Sequence, residues 1–259
     1  MPGRSLYGVA AAAMSADARE AAAAARAAGF TGLEFDCLSP LDLTSLSDTG
    51  RREFKHMLRR QEQTLTSVRH RLNTENLLAG DVDQTMGRLD RILETAAGLG
   101  AMLVCLEISA AKAAANSEQT LAPWLVELGR RADRYGSRIA FSMPSIAPAN
   151  VKQILNVIAC PHFGIDFDPM SVLQAGVAMT QAIAELTAEI RHVRGRDGMV
   201  GPDQSIRPMT IGRGGVGWQK LLAALDEAHY HDWITLDTMD LPDPAGAAVA
   251  GLNAIRRLV

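Results

Sequence analysis

Short apolar or alternating runs, separated by helix-patterned stretches, recur from one end of the chain to the other. No other feature limits the fold as much. The runs are SLYGVA (5–10), TGLEFD (31–36), LTSVRH (65–70), AMLVCLEI (101–108), SRIAFSM (137–143), HFGIDFD (162–168), EIRHVRG (189–195) and DWITLD (232–237). Between them, Val82, Met86, Leu89, Ile92, Leu93 and Ala96 repeat at three and four, as do Val151, Ile154, Leu155 and Ile158, and then Trp218, Leu221, Leu222 and Leu225. That spacing puts each set on one helix face. Eight strands, each with a following helix or helical turn, in 259 residues is the arithmetic of a (β/α)8 TIM barrel, one domain over residues 1–259. A doubly wound sheet is the alternative, but it needs fewer strands and a glycine-rich first turn, which GVAAAAMS lacks. The glycine-rich GRGGVG (212–217) has no clear strand before it, so it is read as a tight loop rather than a phosphate cradle.

Composition narrows the partners. A chain that is 47% hydrophobic with a net charge of −3 can bury a substantial core. It offers no electrostatic reason to hold nucleic acid or an anionic membrane. Cys37, Cys105 and Cys160 are too few and too scattered for a disulfide framework or a CxxC metal site, so a reducing cytoplasm is expected. No run approaches the roughly 18 apolar residues of a membrane span, so a soluble protein is expected. The opening MPGRSLYGVAAAAMSADA imitates a secretory leader, but its apolar run is short. It is read instead as a first strand and a helix that Ser15 caps, with Asp17 in the first turn and Gly29 just past the end.

One strand raises a question about charge. In IRHVRGRDG (190–198) a period of two puts His192, Arg194 and Arg196 on one face. Three basic groups facing a core are prohibitive unless that face is paired or bounds a site. In a barrel, strand residues alternate between the interior and the helix layer, and the C-terminal strand ends form the mouth. Val193 then faces the helices, Arg194 sits at the mouth and His192 lies one layer deeper. Glu34 and Asp36, His70 and Arg71, Glu107, Ser142, Asp168 and Asp237 gather at the other strand ends, a clustering that suits a site and is costly as a core.

Several stretches together resemble the xylose isomerase-like TIM barrels, the sugar phosphate isomerase/epimerase superfamily. They are ARAAGFTGLEFD (25–36), LDRILETAAGLGAMLVCLEI, FGIDFDPMSVLQAG (163–176), HVRGRDG and IGRGGVGWQKLLAALDEAHYHDWITLD. The resemblance spans nearly the whole chain. It implies a divalent ion, such as manganese or magnesium, held by Glu, Asp, His and Glu on the last four barrel strands. The positions matching those ligands are Ser142, Asp168, Arg194 and Asp237, and Ser171 stands where a second histidine is usual. Arginine stays protonated and has no lone pair for a metal. Two carboxylates and a serine make a poor site for a hard cation. No metal or other cofactor is therefore expected, and the guanidinium of Arg194 is expected to bridge Asp168 and Asp237 in its place.

The resemblance and the residues lead to these expectations. Asp168, Arg194, Asp237, Glu107 and His192 are the candidate catalytic groups. Glu34, His70, Ser142, Ser171, Arg196 and Arg207 are candidate contacts to a small sugar or sugar acid. Arg69, Arg71 and Arg213 are read mostly as solvated charge. Activity as an isomerase or epimerase competes with a non-catalytic carbohydrate-binding barrel and with a purely structural one, in which the Asp168–Arg194–Asp237 network only stabilises the mouth. Taken alone, His192 reads as a satisfied interior histidine. A nuclease of the same superfamily is disfavoured by the missing histidine ligands and the acidic balance. A homo-oligomer stays open.

Overall fold

The computed structural model describes residues 6–37, 42–72, 82–108, 117–142 and 148–258. Each of the eight expected runs supplies a barrel strand: β1 (Leu6–Ala10), β2 (Gly32–Asp36), β3 (Thr64–Leu72), β4 (Leu103–Ile108), β5 (Arg138–Ser142), β6 (Phe163–Phe167), β7 (Ile190–Gly195) and, last in the chain, β10 (Trp233–Leu236). Ser5 and Met143, the ends of two expected strands, lie outside the described residues. The strands are parallel and close in the order β1-β10-β7-β6-β5-β4-β3-β2.

The helices packed around them are α1 (Ala11–Met14), α2 (Ala18–Ala28), α3 (Asp48–Arg60), α4 (Val82–Leu99), α5 (Ser117–Arg134), α6 (Pro148–Ile158), α7 (Pro169–Gln174), α8 (Met179–Leu186), α9 (Trp218–Glu227) and α10 (Pro244–Arg256). None of the described helices is long and apolar enough to cross a membrane. The cap of α2 differs from expectation. Asp17, not Ser15, accepts from the backbone N–H groups of Arg19 and Glu20, because the chain first makes the separate short helix α1. Gly29 ends α2 at φ 89° as expected, in the left-handed region that glycine adopts without penalty.

Strand alternation divides the apolar residues into two sets. Val9, Leu33, Val68, Val104, Leu106, Ile139, Phe141, Val193 and Ile234 join the helices in the main core. Leu103, Cys105 and Ala140 form a small separate cluster inside the barrel. At that lower end Gly32 leaves room for Trp233, since a Cβ on Gly32 would lie 2.5 Å from the indole.

Two irregularities aim polar side chains inward. The β2–β3 register slips so that Leu33 faces Leu65 but Glu34 faces Ser67, and the β6–β7 register slips so that Ile165 faces Ile190 but Asp166 faces His192. Such bulges redirect side chains at the cost of local pairing.

One element is absent from the sequence reading. Between β7 and α9 the chain makes an antiparallel hairpin, β8 (Asp197–Val200) and β9 (Ile206–Met209). GRGGVG follows this hairpin and wraps the Asp197 carboxylate, which accepts from the backbone N–H groups of Gly198, Gly212, Gly214 and Val216 at 2.9–3.2 Å. A Cβ on Gly214 would lie 2.1 Å from Asp197 Oδ1, so the glycine there serves a close approach. The N–H groups of Gly212, Gly214 and Val216 are thus committed to an internal carboxylate, and those of Arg213 and Gly215 to backbone carbonyls.

Candidate active site

The inward faces of β2, β3, β4, β6, β7 and β10 meet in a charged layer above the small apolar cluster. Arg194 is its centre, buried to 1% exposure. Its Nε and Nη2 donate to Asp166 Oδ2 at 2.8 and 2.7 Å, Nη1 and Nη2 to Glu34 at 2.9 and 3.3 Å, and Nη1 to Asp237 Oδ2 at 3.2 Å. Arg194 therefore lies within the barrel rather than at its open rim. Of its two expected partners it reaches Asp237 only. The place expected for Asp168 is taken by Asp166 and Glu34. Strand geometry explains this: the slip at β6–β7 sets Asp166 beside β7, whereas Asp168 stands beyond the end of β6 and caps α7.

The other charges follow from this arrangement. His192 is fully buried, with Nδ1 2.7 Å from Asp166 Oδ1 and Nε2 2.8 Å from Thr235 Oγ1. A carboxylate can only accept, so Nδ1 carries a proton in that contact. This is the satisfied interior histidine of the sequence reading. Ser67 Oγ donates to Glu34 Oε2 at 2.7 Å. Arg69 is buried too, its Nη1 donating to Asp237 Oδ2 at 2.8 Å and its Nη2 to Glu107. Arg69 thus departs from the solvated charge expected of it. Arg71 is exposed and pairs with Glu107 at 3.6 Å.

Burial alone would raise every one of these carboxyl pKa values, and the arginines decide which rises are reversed. Burial opposes ionisation of Glu34, but Arg194 holds the group below its ordinary value. Asp166 is likewise pulled well below the usual carboxylate range by Arg194 and His192 against burial. Asp237 is lowered to about 2, burial being outweighed by Arg194 and Arg69. Asp168 goes the other way: burial raises it, and the pull of Arg196 is too weak to compensate. The Cys105 thiol below the cluster is pushed well up by burial and by Asp166 and Glu34.

Asp168 Oδ1 accepts from the N–H of Met170 at 3.0 Å and Oδ2 from Ser171 Oγ at 2.8 Å. A cavity of about 40 Å³ lies against Ser142, Asp166, Asp168 and Ser171. Ser142 sits across the β4–β5 ladder from Glu107. Glu107 keeps 24% side-chain exposure, so Glu107, Ser142, Asp168, Ser171 and Arg196 all border the mouth side of the layer.

Two candidates lie elsewhere. His70 is one residue from Arg69 on β3, and since Ser67 and Arg69 point inward, alternation turns His70 to the helix layer. Burial lowers its pKa. Asp36 favours its protonated form and Arg88 opposes it. The bulge on β3 sets this parity. Arg207 is exposed on β9, opposite Met199 in the hairpin.

Asp166, Arg69, Ser67 and Thr235 were missing from the candidate set. A signal for Asp166 did exist: in FGIDFD it precedes Asp168 by two, which puts the two on one strand face. For Arg69 and Ser67 the bulge removed any such signal.

Residues 22–258 match the family model described as xylose isomerase-like TIM barrel. No curated protein matches the sequence. Among solved structures, the chain is similar to a xylose isomerase domain protein from Planctomyces limnophilus (TM-score 0.81, 14% identity, covering 98% of this chain and 95% of that one). It is also similar to the probable 3-DHS dehydratase AsbF, involved in petrobactin synthesis, from Bacillus anthracis (TM-score 0.82, 12% identity, 97% and 98% covered). A third is D-psicose 3-epimerase with D-tagatose from Clostridium cellulolyticum (TM-score 0.79, 16% identity, 98% and 99% covered).

Proposed function

Because this chain belongs to the xylose isomerase-like TIM-barrel family, we propose that it binds a small sugar or sugar acid at the C-terminal mouth of its barrel and moves a proton on it, as an isomerase or epimerase, without a divalent ion. The observation that carries this reading is the buried guanidinium of Arg194, gripped by Glu34, Asp166 and Asp237. It stands at the position where the family's motif places a ligand histidine. The likeness to an epimerase crystallised with D-tagatose supports the substrate class.

The donor set fits a metal poorly. Glu34, Cys105 and His192 have candidate ligand atoms within 4.8 Å of one another. The Cys105 thiol is held protonated by burial, Glu34 is engaged by Arg194 and Ser67, and both His192 nitrogens have partners. A divalent ion there would also meet the guanidinium charge. No step is derived through a metal.

The chain's own residues can supply the chemistry. Asp168, raised by burial, can hold a proton that its paired neighbours cannot. It borders the 40 Å³ cavity with Ser142 and Ser171. Glu107, paired with Arg69 and Arg71, is the accepting carboxylate, and Arg69 and Arg196 offset negative charge that develops on a substrate oxygen. Free thiols at Cys37, Cys105 and Cys160 support a reducing compartment such as the cytoplasm.

The test is deuterium exchange. Aldoses, ketoses and sugar acids are incubated with the protein in D2O and a chelator, and incorporation next to the carbonyl is followed by NMR. Exchange that persists in chelator and disappears in Asp168→Asn supports the proposal. Exchange that requires added Mn²⁺ refutes its metal-free part. Mutual neutralisation of Glu34, Asp166 and Asp237 by Arg194 and Arg69 also favours a second reading, a sugar-binding barrel without turnover. Saturable binding with no exchange selects it.

A further inference from the structure

We propose that a groove on the outer flank of the barrel binds a small amphipathic carboxylate, an organic acid with an apolar body. The groove has a volume of about 710 Å³, within the range of roughly 300–1,000 Å³ usual for small-molecule sites. It lies between the start of α8, the start of α9, the glycine loop GRGGVG and the end of α10. None of Asp168, Arg194, Arg196 and Asp237 lines it, so the proposal does not depend on the sugar-site reading of the mouth.

The lining combines an apolar wall with positive charge. Leu173, Val177, Met179, Val216 and Leu258 form the wall, and Leu258 is 42% exposed. Lys220 and Arg257 are exposed along it, and neither pairs with a carboxylate among the described residues. No aspartate or glutamate is among the described residues that line the groove. Two helix ends add to the charge. Ala178 and Gly217, the N-caps of α8 and α9, both border the groove, and neither helix has a side-chain cap or an acid in its first turn. Unsatisfied N–H groups and the macrodipole make such ends positive.

The start of α9 works against its own helix. Its third position favours Glu, which closes a capping box, yet it holds Lys220, a cation that the macrodipole opposes. A Cβ on Gly217 would meet nothing within 4 Å, so the space over this end is open. Trp218, the first residue of α9, is 3% exposed and lines the groove, and its Nε1 has no hydrogen-bond partner. A carboxylate seated at these ends accepts from free backbone N–H groups and meets the cations, while its apolar body covers the wall. A neutral alcohol of the same length gains the wall without the charge, and acetate gains the charge without the wall.

The test uses the full chain and three probes, octanoate, octan-1-ol and acetate, with binding followed by NMR. The chain has three tryptophans, whose indole N–H signals are assigned individually. Octanoate should shift the Trp218 signal saturably, leave those of Trp124 and Trp233 in place, and bind tenfold or more tighter than either octan-1-ol or acetate. The double change Lys220→Gln with Arg257→Gln, at exposed positions, should remove the preference over the alcohol. Ala178→Asp should cap α8, raise the melting temperature and weaken octanoate binding, whereas an inert groove would show the first effect alone. No saturable binding, equal affinity for octanoate and octan-1-ol, or a preference that survives the double change overturns the proposal. So does a dimer, seen by light scattering, that the double change dissociates, because the groove is then an interface between copies. Each of these outcomes leaves the sugar-site reading to its own exchange test.

Discussion

Replacing Arg194 by alanine removes the one group that Glu34, Asp166 and Asp237 share. Each keeps a second partner: Ser67 at 2.7 Å for Glu34, His192 at 2.7 Å for Asp166 and Arg69 at 2.8 Å for Asp237. The loss is therefore less than three separate broken pairs. Taking one member from a buried ion pair costs about 3–5 kcal/mol, and about 4 kcal/mol is expected here. For a chain of this size that corresponds to a fall of roughly 8–16 °C in melting temperature.

The sign of the pH dependence is a second check. In the intact protein the three carboxyls have folded pKa values below their unfolded ones. Their contribution is complete above about pH 4. It is lost as pH falls through the folded values, that of Asp237 being about 2. Without the guanidinium, buried Glu34 and Asp166 should titrate above their unfolded values, so acid relieves the variant while it destabilises the parent. The penalty, read by urea unfolding, should be largest near pH 7 and shrink toward pH 4. Arg194→Lys, which keeps the charge but not the fork, should fall between. A penalty under about 1 kcal/mol, the scale of an exposed pair, or one that does not change with pH, would refute the reasoning.

Asp197→Ala deprives the N–H groups of Gly212, Gly214 and Val216 of their acceptor. It should cost about 2–4 kcal/mol and speed amide exchange at those residues, and unchanged exchange would argue against the anchor. Gly164→Ala puts a Cβ 2.5 Å from the Glu189 carbonyl oxygen, a backbone atom that cannot swing away. It should lower stability by about 1–3 kcal/mol in urea unfolding. The double change Ser142→Glu with Arg194→His restores two oxygen or nitrogen donors. It should produce a Mn²⁺-dependent rise in melting temperature that the parent lacks, tight binding being worth about 2.7 kcal/mol at 100 times the dissociation constant. A rise in the parent would show that its own residues hold the ion.

Periodicity alone specified the eight strands, because burying apolar side chains at a spacing of two or of three to four needs no knowledge of distant residues. Val193 faces the helices and His192 and Arg194 face the interior for the same local reason. The charge in IRHVRGRDG was also legible as a problem, since three basic groups on a buried face demand partners wherever they lie. Which partners answer that demand was not local. Glu34 and Asp237 are 160 and 43 residues away from Arg194 in the chain, and only barrel closure brings them within reach. The two register slips then decided the details. By offsetting β3 against β2 and β7 against β6, they brought Ser67 and Arg69 inward, turned His70 out, and gave Arg194 to Asp166 instead of Asp168. A bulge depends on how neighbouring strands compromise between twist, packing and pairing, so its position is a property of the assembled sheet and leaves no mark on any one strand's pattern.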